Sequence, residues 1–229
     1  SNRERPGTAL VIRVLATGIL GYYLASYLDL KGLEYISAQL ERLTLFTYPA
    51  MITVLAWLFL GEKITPAVIF ALVMCYCGIF LMYSQEQQFS GGEQAALGVM
   101  LVLASALSFS LYVLFSKPVM MRIGSKVFTS IAMIGSTVFV ILHFLVLRDV
   151  SDLQVSTTVY FYAALLAFVS TVIPSFMVSE AIVRIGASRT TILGSAGPVF
   201  TMGLAVVWLQ EPTSVWHFVG TLMVIAGVF

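Results

Sequence analysis

The sequence predicts an all-α integral membrane protein, an inverted-repeat helical bundle. Its composition is 59% hydrophobic with only 10% charged residues, and its mean hydropathy is +0.98. A soluble domain carries about a quarter charged residues, so too few are present to cover a water-facing surface. The second observation is a gapless repeat: Pro49 and Pro198 lie 149 positions apart (198 − 49), and the same shift carries Glu62 onto Glu211 and Gly78 onto Gly227. Ser26/Ser175, Ile36/Ile185, Ala38/Ala187, Leu55/Leu204 and Ala56/Ala205 follow it too. Repeated blocks of apolar spans mark a transporter architecture.

Eight apolar segments can be drawn, over residues 9–28, 35–60, 66–83, 96–116, 128–147, 159–183, 188–209 and 214–229. Each approaches the roughly 20 residues a helix needs to cross a hydrocarbon core. None shows the alternating ten-residue pattern of a membrane barrel. Short polar turns at 61–65 and 210–213 separate neighbouring spans, the second copy carrying Glu211-Pro212. Residues 117–126, with Lys117, Arg122 and Lys126, read as a charged loop. Residues 84–95, with Gln85-Glu86-Gln87-Gln88 and Gly91-Gly92, read as the linker between a first repeat (1–83) and a second (96–229).

The repeat pairs the second segment with the seventh. Equivalent helices are therefore an odd number of spans apart, and the two copies cross the membrane in opposite directions. The second copy has five segments and the first three, which implies two further spans before Ser1 and a whole of five plus five; an eight-span protein is the alternative. Arg3, Arg5, Arg13, Lys63, Lys117, Arg122, Lys126, Arg184 and Arg189 fall on the N-terminal side, against Lys31, Arg42 and Arg148 on the other. By the positive-inside rule the N-terminus is cytoplasmic.

The stretch Gly32-Leu33-Glu34-Tyr35-Ile36-Ser37-Ala38, then Tyr48-Pro49, Leu60-Gly61-Glu62-Lys63-Ile64-Thr65 and Gly78-Ile79, resembles one half of the EamA family of the drug/metabolite transporter superfamily. Ile185-Gly186-Ala187-Ser188, Gly197-Pro198, Gln210-Glu211-Pro212-Thr213 and Gly227 repeat the pattern more loosely. The resemblance covers nearly the whole chain. It implies ten helices in two inverted halves that move small metabolites through a central cavity, with helices three to ten present here. It also implies that the first, second, sixth and seventh segments line that cavity.

Glu41 and Arg42 are the sharpest site candidates, because ionisable residues inside a span are costly and usually face a cavity or a partner. Glu41 can bind an amine or carry a proton, and Arg42 can hold a carboxylate in a forked pair of hydrogen bonds; local pairing or snorkelling is the plainer alternative. Tyr48 shares the helical face of Glu41, Leu45 and Ile52. Tyr22 and Ser26 share a face in the first segment, as do Thr191 and Ser195 in the seventh. Such hydroxyls contact substrate or join helices. Pro49 and Pro198 remove amide donors at matching places and are hinge candidates. Glu62 and Glu211, at helix ends, read as structural pairing or capping. His143, alone in an apolar span, reads as packed and hydrogen-bonded.

Cys75 and Cys77 have neither metal-site nor disulfide spacing. There is no zincin, phosphate-loop or nucleophile-elbow motif, so neither cofactor nor metal is expected. Net charge of +1 gives no basic stripe for nucleic acid. The expected partners are a small-molecule substrate, the lipid bilayer and coupled protons. The sequence thus reads as a secondary transporter of small polar metabolites, such as amino acids or related amines and acids, in the cytoplasmic membrane. A non-transporting assembly protein and an intramembrane enzyme are the alternatives.

Overall fold

A computed structural model describes residues 7–61, 63–90, 94–186, 190, 197–208 and 215–228. The described elements are helical throughout: α1 (Thr8–Gly18), a π-helical turn (Ile19–Leu24), α2 (Ala25–Gly32), α3 (Ala38–Leu45), α4 (Tyr48–Leu60), α5 (Pro66–Ser90), α6 (Ala95–Ile123), α7 (Ser125–Leu147), a 3-10 turn (Val150–Leu153), α8 (Thr157–Leu165), a second π-helical stretch (Leu166–Val172), α9 (Ile173–Ile185), α10 (Gly197–Trp208) and α11 (Val215–Val228).

Among the described residues five stretches are long and apolar enough to cross a membrane: Thr8–Gly32, Ala38–Leu60, Ala95–Ile123, Ser125–Leu147 and Thr157–Ile185. At about 1.5 Å per residue each exceeds the roughly 30 Å hydrocarbon core. Helices α5, α10 and α11 stand at the third, seventh and eighth expected spans. Long apolar side chains, such as Val146, Phe161, Leu166 and Phe168, are exposed on these helices, as lipid-facing surfaces require.

Three boundaries differ from the sequence expectation. The second span begins at Ala38 rather than 35, because Ser37 caps α3 by accepting a hydrogen bond from the Leu40 amide at 3.3 Å. Residues 117–126 are not a loop: α6 runs to Ile123 with Pro118 inside it, and α7 starts at Ser125. The whole reversal is made at Gly124, whose φ of 87° only glycine adopts without strain. Finally, α5 continues to Ser90, because the Gln-Glu-Gln-Gln run favours helix once past the apolar stretch.

The chain divides into two compact units, Ser1–Tyr23 with Phe115–Thr190, and Leu24–Leu114 with Thr191–Phe229. This division follows packing and cuts across the sequence repeat. In the first unit α1 lies directly on α7. A Cβ on Gly18 would sit 2.9 Å from the Ala132 backbone, and one on Gly135 would sit 2.3 Å from Leu15 Cδ2. Small residues permit that approach, and Val14, Phe128, Ala132 and Ile182 form the buried core around it. Between α7 and α9 the glue is polar. Thr129 Oγ1 donates to Ser179 Oγ at 2.7 Å and Ser125 Oγ donates to Glu180, which within α9 also accepts from Arg184 Nε at 2.7 Å. Thr129 and Ser179 are both buried. Thr129→Val keeps the shape and deletes one interhelical bond, so it is expected to cost about 0.5–1.5 kcal/mol in a detergent unfolding titration; no loss would remove this bond from the account. The Tyr23 hydroxyl pairs with His143 Nδ1 at 2.8 Å, with the rings edge-to-face. His143 is thus hydrogen-bonded as expected.

In the second unit α2 crosses α6 at another small-residue contact. A Cβ on Gly32 would fall 2.5 Å from Val102 Cγ2 and 3.0 Å from the Gly98 carbonyl. Ser105 Oγ reinforces the crossing by donating to the Ala25 carbonyl at 2.8 Å. Ile36, Leu40, Leu43, Phe46, Ile79, Met82, Ala95 and Val102 form one apolar cluster that fixes α3. Helices α5 and α11 pair through Gly220, which rests on Met82 and the Gly78 carbonyl. An apolar groove of about 710 Å³ on that pair, lined by Leu72, Tyr76, Phe80 and Met223 among others, contains none of the candidate site residues.

One feature of the backbone echoes the repeat. Shifting Ile19–Leu24 by the repeat interval lands on residues 168–173, which overlap the second π-helical stretch, Leu166–Val172. Single π turns inside α-helices are rare and gather at functional sites. Matching ones in both copies are a shared property of the backbone that residue identities did not announce.

Candidate functional site

The second span is two helices rather than one. Helix α3 ends at Leu45, Phe46 and Thr47 intervene, and α4 starts at Tyr48 with Pro49 in its first turn. Proline is tolerated there because first-turn amides have no intrahelical acceptor. Its missing N–H also leaves the Leu45 carbonyl without the donor that would join the helices. The Thr47 amide turns back to the Thr44 carbonyl at 3.2 Å, and the Thr47 hydroxyl donates to the same oxygen at 2.8 Å. Pro49 therefore marks a break between helices and does not kink a continuous one. Its repeat partner Pro198 occupies the same second position, in α10.

Glu41 sits in the first turn of α3, where the positive end of the helix favours a carboxylate. It is only 3% exposed. Arg42 is its neighbour, and successive helical side chains point about 100° apart. Their ion pair is accordingly oblique: Arg42 Nε lies 3.6 Å from Glu41 Oε2, beyond hydrogen-bond range. Glu41 Oε1 and Arg42 Nε are both buried without a hydrogen-bond partner.

Asp29, in the last turn of α2, brings a second carboxyl within coulombic and hydrogen-bonding reach of Glu41. Its Oδ1 is likewise buried without a partner. Sequence reading missed it, because the first segment was ended at residue 28 and an acid just beyond it looks like interface; the helix in fact runs to Gly32. Outside this corner Lys31 pairs with Glu34 at 2.6 Å and lies over the Tyr35 ring, so it is engaged elsewhere. One turn along α3 from Glu41, on the same face, Thr44 is fully buried and its Oγ1 has no partner.

Tyr48 belongs to an aromatic wall. Its ring meets Phe46 at 5.6 Å and Phe109 at 5.2 Å between centroids, both edge-to-face, and Phe109 continues to Tyr112 at 5.7 Å. Ser110 Oγ donates to the Tyr48 carbonyl at 3.1 Å, tying the start of α4 to α6. The expected single face through Glu41, Leu45, Tyr48 and Ile52 does not run as one helix, because the break at Phe46–Thr47 resets the phase.

The structure thus brings Glu41 and Arg42 together and adds Asp29 and Thr44. Ser26 is exposed in the first turn of α2. Tyr22, half-buried in the first π turn, belongs to the other compact unit. Thr191, Ser195, Glu62 and Glu211 lie outside the described residues. Among the described residues no three His, Cys, Asp or Glu side chains gather as a metal site would require.

Long apolar helices joined by short turns, with a buried acid, Glu41, inside a span, define a multi-pass membrane protein of transporter type. Residues 1–84 and 96–229 match the EamA-like transporter family, and the chain belongs to that family, within the drug/metabolite transporter superfamily. It is similar to three proteins of Bacillus subtilis (strain 168) named as uncharacterized transporters. YetK is 25% identical over 222 residues, 96% of this chain and 67% of that protein. YcbK is 25% identical over 230 residues, 95% and 69%, and YvbV 23% over 215 residues, 93% and 69%. A crystal structure of another protein superimposes with a TM-score of 0.67 at 17% identity, covering 97% of this chain and 77% of that one; this likeness concerns the fold.

Proposed function

We propose that the protein is a secondary transporter that exports or exchanges small polar metabolites, amino acids or related amines and acids, across the cytoplasmic membrane by alternating access. The observation that carries this reading is the Glu41–Arg42 pair: a buried acid beside a part-exposed base inside a span of a transporter-family protein, with buried polar atoms still able to bond. Burying such groups is expensive unless a partner arrives. Substrate reaches them beside the Tyr48 wall, with Ser26 on the approach. The two repeats, residues 1–83 and 96–229 about the 84–95 linker, run in opposite directions with the N-terminus cytoplasmic, and Glu41 couples transport to protons. No nucleotide-binding motif offers direct ATP drive.

The test is uptake into proteoliposomes across a panel of amino acids, amines and sugar phosphates. Saturable uptake of at least one compound, absent from protein-free vesicles, is expected. Chemical turnover of a compound without flux would instead favour an intramembrane enzyme.

Pro49 and Pro198 act in this reading as paired hinges, supported by their shared place in the first turn of α4 and α10. Pro49→Ala restores the amide that can donate to the Leu45 carbonyl and join α3 to α4. It is expected to slow transport about threefold or more with little change in substrate affinity. Unchanged rates in Pro49→Ala and Pro198→Ala would exclude the hinge.

A further inference from the structure

We infer that the α2–α3 corner selects substrates carrying a protonated amine with N–H donors, and that Asp29 is the second arm of the ammonium site beside Glu41. This rests on the reading above that Glu41 and Arg42 belong to the substrate site.

Charge is the first argument. Two carboxyl groups, Asp29 and Glu41, lie within reach of one another, and the guanidinium beside Glu41 is Arg42. Lys31, the nearest further cation in the sequence, is engaged by Glu34 at 2.6 Å. Two carboxyl groups this close do not both ionise without a further cation, so the unliganded corner is balanced by a proton they share, which an arriving ammonium can replace. An ammonium supplies the positive charge that lets both acids ionise, a zwitterion does so while its carboxylate pairs with Arg42, and a monoanion supplies none.

Hydrogen-bond capacity is the second. Buried polar atoms in folded proteins are nearly always satisfied. Here Asp29 Oδ1, Glu41 Oε1, Thr44 Oγ1 and Arg42 Nε are buried without a partner. The two carboxyl oxygens accept, the Thr44 hydroxyl accepts or donates, and Arg42 Nε donates. An ammonium group offers three N–H donors and no acceptor, and Asp29 Oδ1, Glu41 Oε1 and Thr44 Oγ1 can each accept one. Arg42 Nε then serves a carboxylate on the same molecule, if it has one. A quaternary ammonium supplies the charge without the donors and leaves the acceptors unserved. The site therefore distinguishes primary amines from quaternary ones as well as from acids.

The decisive experiment uses purified protein in lipid nanodiscs and equilibrium binding of four derivatives of alanine, leucine, phenylalanine and lysine. These are the free amino acid, its amide, its α-N-acetyl form and its α-N,N,N-trimethyl form. For at least one side chain the free amino acid and the amide should bind. Its N-acetyl and trimethyl forms should bind at least about tenfold more weakly, the scale of one lost charge-assisted hydrogen bond. Asp29→Asn and Glu41→Gln should each weaken amine binding at least about tenfold, and Asp29→Glu should recover part of it, with elution and thermal midpoint of the unliganded protein monitored throughout. Tighter binding of the N-acetyl form, equal binding of the trimethyl form, absence of amine binding, or indifference of amine binding to Asp29→Asn in folded protein would each overturn the inference. Failure of the underlying site reading looks different. In that case Asp29→Asn, Glu41→Gln and Arg42→Gln would all leave binding and flux of the transported compound untouched, whatever its class.

Discussion

Glu41→Gln is expected to reduce pH-gradient-driven uptake at least about 100-fold while the protein still folds. Glutamine preserves the volume of a side chain packed to 3% exposure, so no cavity opens around Leu40 and Leu43. Two things are lost. Glutamine carries no charge, so the contact to a cationic substrate falls from a charge-assisted to a neutral hydrogen bond, about half as strong. It also cannot bind and release a proton, so the imposed gradient has nothing to act on at this position. Binding and coupling losses compound in the initial rate measured in proteoliposomes under an inward or outward pH gradient. Retained gradient dependence in Glu41→Gln would reject proton coupling through this residue. Arg42 is expected to behave differently: its side chain is 40% exposed, and Arg42→Gln should weaken binding of zwitterions more than of simple amines.

The second large effect concerns the scaffold under the site. Gly32→Val is expected to destabilise the protein by about 3 kcal/mol or more, or to prevent its accumulation as a folded protein. The new Cβ would lie 2.5 Å from Val102 Cγ2 and 3.0 Å from the Gly98 carbonyl oxygen. The methyl can rotate away, but the carbonyl is part of α6 and can retreat only with the helix. Overpacking that forces backbone to move typically costs 1–3 kcal/mol, and the γ-methyls of valine add further overlap. Gly32 stands one turn beyond Asp29 and leads into the turn that delivers Ser37, the cap of α3. Spreading α2 from α6 therefore moves Asp29 relative to Glu41 as well. Unfolding in mixed micelles gives the stability. A double variant, Gly32→Ala with Val102→Ala, should recover only part of it, because the Gly98 carbonyl is still in place. A Gly32→Val protein within about 0.5 kcal/mol of wild type would show that the helices are not held at this distance.

The spans were readable in the sequence because the hydrophobic effect writes them as composition: few charges and long apolar runs leave no other home than a bilayer. What composition does not carry is where a helix stops once it leaves the apolar stretch. Asp29, Lys31 and Gly32 extend α2 past residue 28 because nothing there opposes helix. The Lys117–Pro118 pair looks like a loop, yet helix persists to Ile123 because neighbouring packing outweighs one missing amide. Glu41 and Arg42 stood out by themselves as charges inside a span. Asp29 did not, since its importance comes from a contact between two spans rather than from its own segment. Pro49 marked the right place with the wrong geometry: its missing donor signalled a disturbance, but only the backbone shows two separate helices meeting at Phe46–Thr47. The π turns had no residue signature at all. Their match across the repeat became visible only when backbone and sequence interval were laid together.

Solute counterflow in proteoliposomes separates a substrate site from a coupling device, because it needs binding and reorientation but no ion gradient. With vesicles preloaded with a compound transported by the wild type, the Asp29→Asn/Glu41→Gln double variant is predicted to show no accumulation of external label, while wild type overshoots. Counterflow of wild-type size by the folded double variant would contradict the account, since the corner formed by Asp29, Glu41 and Arg42 would then not be where substrate binds.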